Sequence, residues 1–417
     1  MKNAFILLGF LIFIHLSAFA QSGWIAQTSG VNYGMDAVFF VGNTGYSVGG
    51  SGQTNANVVL KTVDGGKNWT VRCITDTQFY SIFFTDSLTG CAVDYYGILQ
   101  TTDGGATWTR VFHNHSFSKY SFLHQIFFPD ARTGYCVGGF DHFNPILKTS
   151  DGGKTWTDKT SAFNQPLYDV YFINADTGYV VGHAGTILKT NDGGNTWNKQ
   201  SSETIMPLLS VYFPEPDKGY VVGSGGTIME THDGGSHWTA QASHTTKDLV
   251  SVYFTNAHTG YAVGGLAIQE DCCHVRYEGI ILKTTDGGAT WTSQPGAETN
   301  YLYSVWFTDD LTGYAAGSNG LLLKTTTGGI YTTAEITPGP RTAIYPNPNN
   351  GEFTLKLTNE RQQLLQIDIR DLNGQIVYHA ACADPVLYIS QKELPKGLYL
   401  VCVRGEDTFE THKMVVK

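Results

Sequence analysis

The sequence predicts an all-β chain, a seven-bladed β-propeller followed by a small C-terminal β-sandwich, and three observations carry that prediction. A glycine-pair phrase recurs along most of the chain, other phrases recur with it in fixed order, and the repetition ends before a stretch of different wording. The phrase reads LKTVDGGKNW from Leu60, LQTTDGGATW from Leu99, LKTSDGGKTW from Leu147, LKTNDGGNTW from Leu188 and LKTTDGGATW from Leu282. Its boxes begin at Asp64, Asp103, Asp151, Asp192, Asp233 and Asp286, with a decayed copy, TTGGIY, from Thr327, so successive copies lie 39 to 53 residues apart. That is the period of four-stranded propeller blades.

Each unit offers four short strands. A VYF phrase comes first: AVFF from Ala37, SIFF from Ser81, QIFF from Gln125, DVYF from Asp169, SVYF from Ser210 and Ser251, and SVWF from Ser304. A TGYxVG phrase follows, centred on Tyr46, Tyr135, Tyr179, Tyr220, Tyr261 and Tyr314, with Cys91 as the variant. The ILKT strand then leads into the box, and a Trp-led strand leaves it. GWIAQTSG from Gly23 resembles a Trp-led strand without a box before it, while the seventh box has no clear Trp strand after it. Trp24 is therefore expected to complete the last blade, a closure that removes exposed sheet edges.

In the box the glycines accept backbone angles that other residues resist, the Asp bonds turn amides, and the Trp packs between strands. Asp64, Trp69, Asp103, Trp108, Asp151, Trp156, Asp192, Trp197, Asp233, Trp238, Asp286 and Trp291 are thus read as structural.

The 417 residues are 41% hydrophobic and only 15% charged, with 48 glycines, as suits a turn-rich globular β protein. Net charge is −10 and no stretch clusters Lys and Arg, which argues against duplex nucleic acid or an anionic membrane surface as partner. Residues 1–20 join Lys2, an apolar run from Ala4 to Leu16 and the small residues Ala18 and Ala20: a secretory signal peptide, cut before Gln21. That run is shorter than the ~20 residues of a spanning helix, and no later segment is apolar enough to span. The expected organisation is then a propeller over 21–331, a linker over 332–341 and a terminal domain over 342–417. There are seven cysteines; Cys382 with Cys402 is a conceivable bridge, and Cys272 with Cys273 is a strained vicinal pair or two separate thiols.

The repeated phrase is the Asp-box, and the chain from Trp24 to Tyr331 resembles the Asp-box propellers: sialidases, xyloglucan-degrading enzymes, sortilin-type receptors and photosystem II assembly and stability factors. It looks most like the last of these, which implies a scaffolding or chaperone-like binder; blades of this kind fix the fold and leave chemistry open. The tail carries YPNPNNG from Tyr345, DLNGQIV from Asp371, GLYLV from Gly397 and HKMVVK at the terminus. It resembles the type A C-terminal sorting domain of the Bacteroidetes type IX secretion system. That resemblance implies export across the outer membrane by type IX machinery acting on residues 342–417, with the tail cut off afterwards, and so a secreted or cell-surface product.

A sialidase-like site would require three arginines on the central strands. Of the four between Trp24 and Tyr331, Arg72 and Arg110 fall on outer Trp strands, Arg132 in a turn and Arg276 in an insertion. Other glycosidases need two carboxylates roughly 5–10 Å apart, and Asp36, Asp169, Glu215, Asp217, Asp248 and Asp309 cannot be paired across blades from the sequence alone. No cofactor or metal site is expected: His113, His115, His124 and His142 read as exposed loop histidines, and EDCCHVRYEG from Glu270 as a poor chelator.

Position says more than residue type. Turns alternate between the two faces of a blade, so the boxes share one face, and the insertions from Gly49, Phe112, Gly138 and Leu266 all fall on the other. The candidate ligand-binding residues are accordingly His113, His115, Phe117, Tyr120, His142, Phe143, Glu270, Asp271, His274, Arg276 and Tyr277. The expected function is non-catalytic binding of an extracellular protein or glycan by that face. The alternatives are a surface glycoside hydrolase, sialidase-like or xyloglucan-degrading, and an adhesin with weak multivalent blades.

Overall fold

The computed structural model describes residues 23–51, 56–75, 77–113, 122–139, 144–160, 163–270, 274–329, 343–356, 365–371, 375–384, 386–404 and 409–417. The expected signal peptide and linker lie outside them. The chain divides at Tyr331/Thr332 into two compact units. Among the described residues all regular structure is strand, apart from single 3₁₀ turns at Ser224–Gly226 and Ser318–Gly320.

The first unit holds seven antiparallel four-stranded sheets. In the fourth, Leu167–Phe172, Gly178–Gly182, Thr186–Thr190 and Asn198–Gln200 run from the inner VYF strand to the outer Trp-led strand. The seventh is built from both ends of the unit: Ile25–Gln27 pairs with Leu322–Thr325, setting Ile25 opposite Lys324. This is the expected closure, and Trp24 takes the place of a box tryptophan, edge-on to Phe307 at 5.8 Å.

The recurring words are one interlocking device. Within a box, Thr190 donates its hydroxyl to Asp192 (2.8 Å) and accepts from the Gly194 amide, while the Asp192 carboxylate accepts from the Thr196 amide and hydroxyl at 2.9 and 2.6 Å. Both box glycines hold positive φ, +66° at Gly193 and +77° at Gly194, which folds the turn tightly. The preceding blade grips that turn: Tyr135 and Lys148 both donate to the Gly193 carbonyl, at 2.9 and 2.6 Å. Tyr135 also stacks on Phe172 at 3.7 Å, and Phe172 meets Trp197 edge-on at 5.9 Å. The glycine of TGY belongs to the same packing, because a Cβ on Gly178 would lie 2.5 Å from the Phe172 ring. Tyr, Phe, Trp, Gly and Lys thus recur together because each supplies one part of an interblade contact.

In the first blade Lys61 alone of the pair reaches the box carbonyl of Gly104, Tyr46 donating instead to the Ser87 carbonyl, and two further blades change the residues themselves. In the second, Cys91 and Gln100 replace Tyr and Lys, and Gln100 donates to the Gly152 carbonyl at 2.6 Å. In the fifth, Glu230 stands in the lysine's place, and Lys218, just before the TGY glycine, supplies the cation over Tyr220 at 5.8 Å.

The second unit packs Ala343–Tyr345, Glu352–Lys356 and Val386–Ser390 against a sheet of Ile376–Cys382, Leu365–Arg370, Gly397–Arg404 and Phe409–Val416. Phe353, Leu355, Ile367, Ile369, Val401 and Met414 form its core. The YPNPNNG segment clasps the last strand: Asn347 donates to the Lys413 carbonyl (2.8 Å) and accepts from the Val415 amide (2.9 Å). Cys382 carries a free thiol, so the bridge to Cys402 is not formed; Cys272 and Cys273 lie outside the described residues.

Candidate functional site

Every inner strand of the propeller opens with a β-bulge. The register shifts at Met35/Ala37, Phe79/Ser81, Leu123/Gln125, Leu167/Asp169, Leu208/Ser210, Leu249/Ser251 and Leu302/Ser304. A bulge re-aims a side chain, and here the skipped residues, Asp36, Tyr80, His124, Tyr168, Leu209, Val250 and Tyr303, line a central cavity of about 370 Å³ beside their neighbours.

Three layers follow along the channel. The bulge residues make the first. The next ring is largely polar and locks adjacent blades: Ser304 accepts from the Val38 amide (3.3 Å), Ser251 from Val305 (3.2 Å), Ser210 from Val252 (3.3 Å), Asp169 from Val211 (2.9 Å) and Ser81 from Ile126 (3.4 Å). The third ring is aromatic and unbroken. Phe39, Phe83, Phe127, Tyr171, Tyr212, Tyr253 and Trp306 each contact the next, with centroid separations of 4.4 to 5.6 Å around the circle. Beyond it a second cavity of about 390 Å³ is lined by Pro129, Asp130 and Ile173–Ala175, from turns on the box face. The first cavity therefore opens on the face opposite the boxes.

Its carboxylates differ in their bonding. Asp169 accepts from the Val170 and Val211 amides, one on each oxygen, and burial still lifts its pKa to about 6. Asp36 accepts from Gln78 at 2.5 Å on one oxygen, and burial pushes it up to about 7. Burial also raises the Tyr80 phenol, and lifts that of Tyr303 to about 12, with the Asp36 charge adding to both. His124, expected in an exposed loop, lies instead on the inner strand Leu123–Phe127; burial lowers its pKa, and it meets Tyr168 edge-on at 5.4 Å.

Of the residues selected from the sequence, His113 ends an outer strand of the second blade and is exposed. His115, Phe117, Tyr120, His142, Phe143 and Asp271 lie outside the described residues. The insertion carrying Glu270, His274, Arg276 and Tyr277 continues the hairpin Gly260–Gln269 with Val275–Thr284, so it is largely strand. Arg276 bonds Glu270 (3.0 Å) and Glu278 there, and Tyr277 comes near enough to Tyr303 to raise its phenol pKa. Among the described residues the channel lining has no Lys or Arg, and no cluster of three or more His, Cys, Asp or Glu side chains could hold a metal. Of the acids weighed for glycosidase chemistry, only Asp36 and Asp169 reach this cavity. Asp309 caps its own turn at Leu311 and Thr312, and Asp248 accepts from Gly225. The bulge ring escaped sequence reading, because the residue before each VYF phrase is turned inward only by the register shift between two strands.

Comparison with known proteins places both units. Residues 343–417 match the family described as secretion system C-terminal sorting domain. Residues 160–207 and 201–271 match photosynthesis system II assembly factor YCF48. The photosystem II stability/assembly factor HCF136 of Oryza sativa subsp. japonica is 46% identical over 48 residues, 11% of this chain and 12% of that protein, so the shared stretch is a small part of either. Among solved structures, YCF48 bound to D1 peptide aligns with a TM-score of 0.59 at 19% identity, covering 74% of this chain and 98% of that one. PorZ, a surface component of the type IX secretion system of Porphyromonas gingivalis, aligns at 0.52 and 13% identity, over 92% of this chain and 59% of its own. No helix among the described residues is long and apolar enough to cross a membrane. The chain therefore joins a β-propeller with repeats of the YCF48 assembly-factor type to a type IX secretion sorting domain, which sends it to the cell surface or the extracellular space.

Proposed function

We propose that the propeller is a non-catalytic recognition module that binds a segment of an extracellular protein at the channel mouth opposite the Asp-boxes. The observation that carries this reading is the set of bulges, which turns an extra side chain per blade into the cavity and rims it with Tyr80, Tyr168 and Tyr303. Rigid aromatic groups on a scaffold supply contact area at low entropic cost. A propeller of the same fold binding a peptide supports a protein ligand over a glycan. The hydrolase alternative is weakened by Asp169, whose two oxygens each hold a backbone amide and so serve to lock neighbouring strands. The test is a binding screen of the mature chain against arrayed surface-protein peptides and glycans, with turnover assayed on the glycans. Peptide binding weakened by Tyr168→Ala is expected; glycan turnover would overturn the reading.

A further inference from the structure

The channel mouth has a chemistry of its own, which narrows what can enter it. Its wall combines an acid, Asp36, with the phenols of Tyr80, Tyr168 and Tyr303, and its floor is the aromatic ring that includes Phe39 and Trp306. Hydroxyls, one imidazole and one amide supply the rest of its polarity, and among the described residues no cation lines it. Asp36 has one oxygen held by Gln78, and among the described residues nothing bonds the other. Asp169, deeper in the wall, already holds a backbone amide on each oxygen, so Asp36 is the more open acid.

We propose that this cavity takes a single cationic group, an alkylammonium or guanidinium, seated over the aromatic faces with its charge against the open oxygen of Asp36. A cation gains from the negative face of an aromatic ring, and more so where water is excluded. A carboxylate in the same enclosure adds charge-assisted hydrogen bonds. An anionic or purely apolar group would meet the half-buried acid without compensating it. The volume, about 370 Å³, lies within the ~300–1,000 Å³ common to ligand pockets. This rests on the recognition reading above and deepens it: the favoured source is a Lys or Arg side chain of a bound protein segment, and a free small amine is the other source of the same chemistry.

The test uses the full mature chain and blocked pentapeptides, glycines around one central residue: arginine, lysine, citrulline or norleucine. n-Butylammonium and methylguanidinium are the bare cations, and calorimetry is the readout. The expected result is at least about tenfold tighter binding of the arginine and lysine peptides than of the citrulline and norleucine peptides. Asp36→Asn, nearly isosteric and still able to bond Gln78, should erase that ratio; Tyr303→Leu, on a different blade, should reduce it if the first variant does not fold. Equal binding of all four peptides, a ratio unchanged in Asp36→Asn, or no binding at all would overturn the cation site. Bare cations binding in an Asp36-dependent way while no peptide binds would keep the site, assign it to a free amine and remove the protein-segment reading.

Discussion

Tyr314, in the seventh blade, donates its hydroxyl to the carbonyl of Gly65 in the first, at 2.8 Å, and Lys324 donates to the same oxygen at 2.6 Å. The same pair of donors meets the next box at Gly193, Gly234 and Gly328. The ring thus closes by reusing at its seam the contact that joins its ordinary blades, with the Ile25–Gln27 strand added across the join.

The seam should therefore be as stable as the rest only while that strand is held. Trp24 is fully buried against Tyr261 and Phe307. Trp24→Ala is expected to cost roughly 3–5 kcal/mol, the range for truncating a large buried aromatic. Urea denaturation of the mature chain measures it; a loss below about 1 kcal/mol would mean that the strand does not close the ring.

The boxes predict acid lability. Hydrogen bonds from Thr196 hold Asp192 down to about 2, those from Thr155 hold Asp151 there, and those from Thr290 do the same for Asp286. With unfolded values near ~3.9, each folded pKa is depressed, so the contribution is present above about pH 4 and lost as pH falls toward 2. Thermal melts from pH 6 to pH 2 should show a progressive fall in Tm. Asp192→Asn should start lower and fall less.

Asp36 acts in the opposite direction. Its folded pKa is raised to about 7 by burial, so folding favours its protonated form, and stability is lost as pH rises from about 4 through 7. Asp36→Asn is expected to stabilise the chain by on the order of 2–4 kcal/mol at pH 8 and by little at pH 4. Denaturant midpoints at the two pH values decide it. A carboxylate that weakens the fold at neutral pH and faces an open cavity is the kind of residue that a binding role retains.

The blades were legible because their words encode contacts. Tyr46, Gly178, Phe172 and Trp197 are parts that recur at most joins between blades, and the Trp24 strand with no box before it and the incomplete last box together announced the closure. The channel was less legible. A bulge is a property of the register between two strands, so Asp36, Tyr80 and Tyr303 look like ordinary residues ahead of a strand until the pairing at Met35/Ala37 and its equivalents turns them inward. His124 was misplaced for the same reason. The insertion around Glu270 and Arg276 was placed on the correct face by topology alone, but the extension of its hairpin depends on cross-strand pairing down to Gln269 and Val275 that no local motif spells out.

The fifth blade offers a sharper test of the interblade device, because its cation has moved. Glu230 is buried where five other blades carry lysine and the second carries Gln100; it accepts from Gln241 (2.9 Å) and lies near the Tyr220 hydroxyl (2.9 Å) and Lys218 (3.8 Å). Lys218→Thr alone, which restores the TGY wording, would strip that acid of its cation and is expected to destabilise by roughly 1–3 kcal/mol. Glu230→Lys alone sets two cations around one tyrosine and should also destabilise. Made together, the changes recreate the arrangement in which Lys189 stacks on Tyr179 and donates to Gly234, so the double variant should recover most of the loss. A double-mutant cycle from urea midpoints would then return a coupling of at least about 1 kcal/mol. Additive losses would mean that the lysine and its carbonyl contact are incidental to the way one blade holds the next.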